Sequence, residues 1–487
     1  MTDPHPESAE LAFASAHEVV ARLDAGELTS AALVDTLQRR IAALDGPGTT
    51  TELRAIAALA HNAEVLAAAR DAERARGERR GPLHGLPVVI KDNIEAEGLP
   101  GAAGSTALVG RPARESPLVA RMRAAGAVVL GSTNLSEWAN IRSSHSTSGW
   151  SATGGLVVNP WSLDRTAGGS SSGSGAAVAA GLAPLAIGTE TDGSIVCPSS
   201  VNGVVGLKPT VGTVPTHRVV PISASQDSPG PMARRVDDAA LLFGVLAGQA
   251  PPDTALARLR VAYASTWRTG HPATDAHCDA VVAGLAGAFD AVVHRDVATP
   301  GEAEGEDELT VLLCELADDL SAYLAERPGD GVRSLADVVD YEELNASSEM
   351  PYFGHEHFSA ALASGGRAGE GYAPARERNL AWALGACLEP ALEDLDVLLA
   401  PAYAPGWKID LTLGDHAGMA SPATMAPAIA GWPIASVPVG LVDGLPVGLA
   451  VIGRPHSEWV VLEAARRIER VVAIPAGRPS WRAPRRG

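Results

Sequence analysis

Two serine- and glycine-rich runs lie between residues 168 and 198: Gly-Gly-Ser-Ser-Ser-Gly-Ser-Gly, ending at Gly175, and Gly188-Thr-Glu-Thr-Asp-Gly-Ser-Ile. They flank an alanine-rich stretch, 176–181, and a short apolar run, 185–188. Glycine reaches positive φ without steric cost and lets a ligand or another backbone approach closely. Successive N–H groups in such turns form a concavity for an anion, either a phosphate or a transition-state oxyanion. The apolar helix and strand between the runs argue against a flexible linker. A nucleotide loop fits poorly: the Walker pattern is absent, and Val178 stands where the dinucleotide fingerprint needs its third glycine. Gly169-Ser-Ser171-Ser-Gly173 formally matches a nucleophile elbow, but residues 159–165 before it read as a turn, not as the strand an elbow requires.

Strand and helix signals alternate around this segment. Thr29-Ser30 caps a helical pattern over 31–44, and a second runs over 63–76 to Gly77. Short apolar strands are expected at 86–90, 127–130, 185–188, 260–264 and 397–399, with a helix opened by Ser116-Pro117. Asp443-Gly444 between 434–442 and 445–452 predicts a tight hairpin, followed by a helix from Ser457 to about Val472. The pattern implies an α/β fold, a mixed sheet covered by helices. Residues 1–80 read as a helical segment packed on a core of 81–475. Residues 295–395 read as a helical insertion, and 476–487 as a basic tail.

With 38 basic and 57 acidic side chains among 487 residues, the net charge of −19 argues against nucleic acid or an anionic membrane as the main partner. The four cysteines form no CxxC pair, and the N-terminus lacks a secretory pattern, so a reducing cytoplasm is the expected compartment. The longest uncharged stretch, 166–189, is broken by serine, glycine and proline and does not read as a membrane span. Only three of the 38 basic residues are lysines: Lys91, Lys208 and Lys408. Arginine keeps its proton inside a protein, whereas a buried lysine can become a neutral amine. Such a bias leaves each lysine either a remnant of codon usage or a site where a titratable amine is needed.

The two runs closely resemble the signature of the amidase signature family, serine hydrolases with a Ser–Ser–Lys triad. Gly81-Pro-Leu-His-Gly-Leu-Pro-Val-Val-Ile-Lys91-Asp-Asn-Ile is similar to the family's lysine strand. Gly126-Ala-Val-Val-Leu-Gly-Ser-Thr-Asn-Leu-Ser-Glu137 and Gly203-Val-Val-Gly-Leu-Lys208-Pro-Thr also match. The likeness covers about residues 15–245 and 395–470. It implies an α/β/α sandwich around a central mixed sheet, with Ser194 as nucleophile, Ser170 as bridging serine after a cis peptide, and Lys91 as base. It further implies an oxyanion held by backbone N–H groups of Thr191, Asp192, Gly193 and Ser194, substrate contacts from Ser171 and Ser144, and no metal or cofactor. Glu190 and Asp192 are expected to pin the loop through backbone hydrogen bonds, Lys208 to be structural and Cys197 to pack. His355 and His357 lack a third ligand and read as surface residues.

Within the family, Gly149-Trp-Ser-Ala-Thr-Gly-Gly155, Ser194-Ile-Val-Cys-Pro198 and Ser225-Gln-Asp-Ser-Pro-Gly-Pro-Met-Ala233 look like bacterial peptide amidases, which release ammonia from peptide C-terminal amides. Val196 stands where many members carry arginine, and Leu156 where that branch tends to be polar. The expected activity is hydrolysis of a peptide or small primary amide by a monomer or homodimer. Alternatives are the amidase subunit of a tRNA-dependent amidotransferase, an aryl or acyl amidase, an amide-forming biosynthetic enzyme, and a non-catalytic scaffold.

Overall fold

The computed structural model describes residues 6–49, 51–252, 258–415, 421–473, 479 and 481. Most of the expected basic tail lies outside these. Eleven strands form one sheet: β1 (Ile56–Leu59), β2 (Pro87–Lys91), β3 (Val128–Thr133), β4 (Leu185–Glu190), β5 (Val205–Lys208), β6 (Ser228–Ala233), β7 (Arg260–Ala264), β8 (Ala291–Arg295), β9 (Val397–Pro401), β10 (Ile434–Val442) and β11 (Leu445–Gly453). Their spatial order is β1-β3-β2-β4-β6-β5-β10-β11-β9-β7-β8. β2 runs parallel to both β3 and β4, β7 parallel to both β8 and β9, and the remaining pairs are antiparallel. The mixed α/β sheet is thus the expected one, and the Asp443-Gly444 hairpin joins β10 to β11.

Helices cover both faces. Along β7, Val261 and Tyr263 belong to one buried apolar cluster while Ala262 and Ala264 belong to another, and β9 divides Leu399 from Leu398 in the same way. Side chains two apart share a face, so each cluster lines one side of the sheet. Continuous apolar runs such as Val88-Val89-Ile90 suit a strand buried on both faces. The amino-terminal region supplies helices Ser30–Leu44 and Ala63–Ala75 as expected, the first capped by the Thr29 hydroxyl. It also contributes the edge strand β1, which the sequence reading did not foresee. Among the described residues no helix is long and apolar enough to cross a membrane.

Between β8 and β9 the chain is helical, led by the 25-residue helix Glu302–Glu326. Its Leu316, Leu320 and Leu324, with Val338 and Phe358, form a third buried cluster against Ala102, Ala103, Leu108 and Trp138. This segment, expected above as an insertion, is therefore seated on the loops that follow β2 and β3, and those loops approach the carboxyl ends of the parallel strands.

Candidate active site

Lys91 closes β2, and Thr189 and Glu190 close the parallel neighbour β4. Two adjacent strand ends therefore deliver their last side chains to one place. Lys91 is completely buried. Its Nζ lies 2.7 Å from Ser170 Oγ, 2.9 Å from Thr189 Oγ1 and 3.2 Å from the Thr189 carbonyl oxygen. Asn93 Nδ2 donates to the same Thr189 hydroxyl at 3.0 Å. A neutral amine has two hydrogens and one lone pair. The carbonyl can only accept, and the hydroxyl oxygen accepts as well, so the lone pair is left for the Ser170 O–H. Burial pushes the Lys91 amine down to about 7, while the negative charges of Asp227 and Glu190 pull it back up.

Ser170 follows a cis Gly169–Ser170 peptide. Its carbonyl accepts the Ser136 N–H at 3.1 Å, and the next N–H, of Ser171, donates to the Ser194 carbonyl at 3.1 Å. That bond seats the Ser194 turn against the Ser170 turn. Among the hydrogen bonds of the described residues, none joins the Ser170 and Ser194 hydroxyls directly. Hydrogen bonds of this kind are often long before substrate binds.

The turn carrying Ser194 is shaped from below by Glu190, whose Oε2 accepts the N–H groups of Ile195 at 2.6 Å and Val196 at 2.8 Å. Glu190 thus pins the loop as the sequence reading expects. Lys208, fully buried and pushed down to about 8 by that burial, faces the carboxyl groups of Glu190 and Asp192. Gly193 sits at φ 73°, and a Cβ there would come within 2.5 Å of the Tyr403 hydroxyl. Among the described residues the backbone N–H groups of Thr191, Asp192, Gly193 and Ser194 are not used in any hydrogen bond. They are free to meet a developing negative charge. Beside them opens a cavity of about 270 Å³ lined by Ser194, Gly169, Asn140, Tyr403, Trp407 and Asp415, among others.

The sequence profile described as Amidase matches residues 32–462. The chain belongs to the amidase family. The match runs through the insertion, which motif likeness alone did not cover. This amidase is 35% identical to a subunit of the glutamyl-tRNA(Gln) amidotransferase of Anaeromyxobacter sp. (strain K), across 95% of this chain and 96% of that one. It superposes on the native peptide amidase from Stenotrophomonas maltophilia with a TM-score of 0.89 at 39% identity, covering 98% of this chain and 99% of the other. A peptide amidase in complex with the competitive inhibitor chymostatin matches with the same TM-score at 40% identity, again over 98% and 99% of the two chains.

Some residues of the amidase lie where the sequence reading did not expect them. The fully buried Ser171 hydroxyl is committed to β4, donating to the Thr189 carbonyl at 3.0 Å and accepting the Thr189 N–H at 3.2 Å. Its O–H is therefore already given to the strand rather than turned to the cavity. Ser144 does not line the cavity, and its N–H and hydroxyl are both given to Glu356 at 2.7 Å and 2.9 Å. The serine of that stretch that does line the cavity is Ser148, whose N–H and hydroxyl go to Asp415. Asp192 does not pin the backbone. Its carboxyl bonds the Thr424 side chain, its Oδ1 has no partner, and burial raises its pKa. Residues 159–165, read as a turn, overlap the strand Ser162–Thr166. It forms a separate two-stranded ribbon with Val158–Asn159 outside the main sheet, so it does not build an elbow.

Cys197 is buried, and the same burial pushes its thiol far up, which suits packing. His355 bonds Glu342 at 3.0 Å within the insertion, and His357 meets the Ile141 carbonyl at 3.1 Å, so His357 ties the insertion to the core; both rings are half-buried rather than free at the surface. Glu137, Glu342 and Glu349 converge nearby, but Arg142 stands among them, paired with the Glu137 carboxylate and donating to the Glu349 carbonyl at 2.7 Å. Sequence reasoning missed Asn93, Thr189, Asp227, Tyr403, Trp407 and Asp415. Asn93, Thr189 and Asp227 lay inside quoted motifs, Asn93 two residues past the lysine.

Proposed function

We propose that this amidase hydrolyses the C-terminal amide of a peptide, or a small primary amide, through an acyl-enzyme on Ser194 and releases ammonia. The observation that carries this reading is the buried Lys91 amine, 2.7 Å from Ser170 Oγ and held by the Thr189 hydroxyl and carbonyl, an arrangement in which a neutral amine keeps its lone pair for Ser170. A base that is neutral near pH 7 is what the first step requires. Lys91 takes the Ser170 proton as Ser170 takes that of Ser194, and Ser194 Oγ bonds the amide carbon. The unused N–H groups of residues 191–194 supply the oxyanion contacts, each worth about 3 kcal/mol. The proton returns through Ser170 to the departing nitrogen, the C–N bond breaks, and ammonia leaves. Water then attacks the ester, its proton follows the same route, and the acid departs from Ser194. Similarity to peptide amidases at 39–40% identity over 98% of the chain supports the substrate class. We place the protein in the cytoplasm, acting as a monomer or homodimer.

The amidotransferase relatives favour a second reading, in which the chain would work on a tRNA-bound substrate with partner subunits. Ammonia release by the purified single chain from a panel of peptide, aliphatic and aryl amides separates the two. The first reading expects turnover alone, with Ser194→Ala, Ser170→Ala and Lys91→Ala each lowering it at least about a hundredfold while circular dichroism is unchanged. Near-normal activity of Lys91→Ala at pH 7 refutes the assigned base. Activity that requires both aminoacyl-tRNA and added partner subunits supports the second reading.

A further inference from the structure

One face of the Glu302–Glu326 helix grips the loop 222–227. Glu308, Glu315 and Asp319 are spaced seven and four residues apart, which places them on that face. Glu308 Oε1 accepts from Gln226 Nε2 at 2.9 Å. Glu315 Oε2 accepts the Ser223 hydroxyl at 2.6 Å and the Ser225 N–H at 3.0 Å, and Asp319 Oδ2 accepts the Ala224 N–H at 3.0 Å. The acids are themselves held. Tyr372 donates to Glu315 Oε1 at 2.6 Å, and Arg367 takes both oxygens of Asp319 at 2.8 and 2.7 Å. Asp227 carries the linkage on. Its Oδ2 accepts the N–H groups of Ile222 at 2.8 Å and Ser223 at 3.0 Å, and its Oδ1 accepts the Thr191 hydroxyl at 2.6 Å. Helix, loop and Thr191 are thus joined without a break up to the turn that bears Ser194.

We propose that Glu315 and Asp227 are positioning residues for amide hydrolysis, holding Thr191 so that the N–H groups of 191–194 face the reacting carbonyl oxygen. This rests on the oxyanion role given to that turn above. It also assigns the insertion a part in turnover. Hydrogen-bond donors act on a transition state only when fixed in advance where charge develops, so a loosened turn loses rate before it loses binding. Asp227 differs from Glu315 in one respect: its charge, with that of Glu190, faces Lys91 and raises the amine's affinity for a proton.

The test uses the full chain, its active fraction counted with a fluorophosphonate that labels the nucleophile. Ser223→Ala cuts the helix-to-loop link by one hydroxyl, Glu315→Ala removes the acceptor, and Thr191→Val cuts the last link without changing shape. Each lowers kcat about tenfold with KM within about twofold. Ser223→Ala combined with Thr191→Val is no slower than the worse single variant, because both break one linkage. Asp227→Asn moves the acid limb of the rate profile to lower pH, whereas Ser223→Ala leaves the limb in place. Multiplication of the two losses to about a hundredfold, or a change in KM alone, overturns the proposal. So does a normal kcat in Ser223→Ala and Thr191→Val while the wild type is active. If the wild type hydrolyses no amide in the panel, the functional reading itself has failed and this inference falls with it.

Discussion

Thr189→Val is the sharpest test of the arrangement around Lys91. The substitution keeps the side-chain shape but removes the hydroxyl that accepts from Nζ at 2.9 Å, leaving the carbonyl contact at 3.2 Å. A hydrogen bond to a charged group contributes about 1.5–3 kcal/mol and one to a neutral group about 0.5–1.5 kcal/mol. The ammonium therefore loses about 1–1.5 kcal/mol more than the amine, which lowers the lysine pKa by about one unit. Meanwhile the amine is freed to turn, and the lone pair no longer faces Ser170 in every molecule. If that costs about tenfold of a general-base contribution of 10²–10⁴, the high-pH plateau falls about tenfold. These two effects oppose each other as the pH drops. From a wild-type value of about 7, the neutral fraction at pH 6 is about 9%, against about half in the variant. The variant is then about tenfold slower at pH 9 but about twofold slower at pH 6. Initial ammonia release from pH 5.5 to 9.5 measures this directly. A deficit that is the same at every pH, or an acid limb that moves upward, refutes the account of Thr189. The change also strands Asn93 Nδ2, costing about 1–3 kcal/mol of stability, so the Tm is read alongside.

Other expectations follow from the same geometry. Gly193→Ala brings a Cβ to 2.5 Å from the Tyr403 hydroxyl at a positive φ, and kcat falls at least about tenfold. Tyr403→Phe in the same chain recovers part of the loss if the collision is the cause, and none if backbone conformation is. Glu190→Gln keeps an acceptor for Ile195 and Val196 while removing a charge that raises the Lys91 pKa, so the acid limb of the rate profile shifts to lower pH. Arg142→Met leaves Glu137 and Glu342 buried without their cation. Denaturant unfolding then shows a loss of about 3–5 kcal/mol, larger than for the double change with Glu137→Gln.

The strands that were legible in the sequence are those whose apolar runs are continuous, such as β2, β4 and β9, or punctuated by a turn, such as β10 and β11. β6 was not. Its sequence Ser228-Pro-Gly-Pro-Met-Ala233 carries two prolines, which ordinarily speak against a strand in the middle of a sheet. They stand two apart, opposite Thr189 and Ile187 of β4, so both missing N–H groups fall on one edge and the opposite edge keeps its ladder. On the other side β6 meets β5 only at Met232 and Ala233, beyond the prolines. β1 was hidden because Ile56-Ala-Ala-Leu59 is short and follows helical sequence. The Lys91–Ser170 contact was implied by family likeness. Its supporting groups were not, because Thr189 bonds the lysine through a side chain and a carbonyl brought together by strand pairing, which residue spacing does not encode. Ser144 and Ser148 show the same limit: both are serines in one loop, and the fold alone decides which of them meets Asp415.

The helix Ser172–Ala179 is built from serine, glycine, alanine and one valine, and every residue in it is buried. At Gly173 even a methyl would strike the carbonyl oxygens of Ala55 and Asn134, and at Gly175 it would crowd the Asn202 amide and the Pro198 carbonyl. Ser172 spends its hydroxyl on the Gly168 carbonyl, and Ser174 on Thr133 and Ile187. Larger side chains are thus barred along this stretch by lack of room. A run of small residues that takes no part in bond breaking is as intolerant of larger side chains as the reacting positions are of chemical change, and its spelling records the tight fit of one helix rather than the reaction.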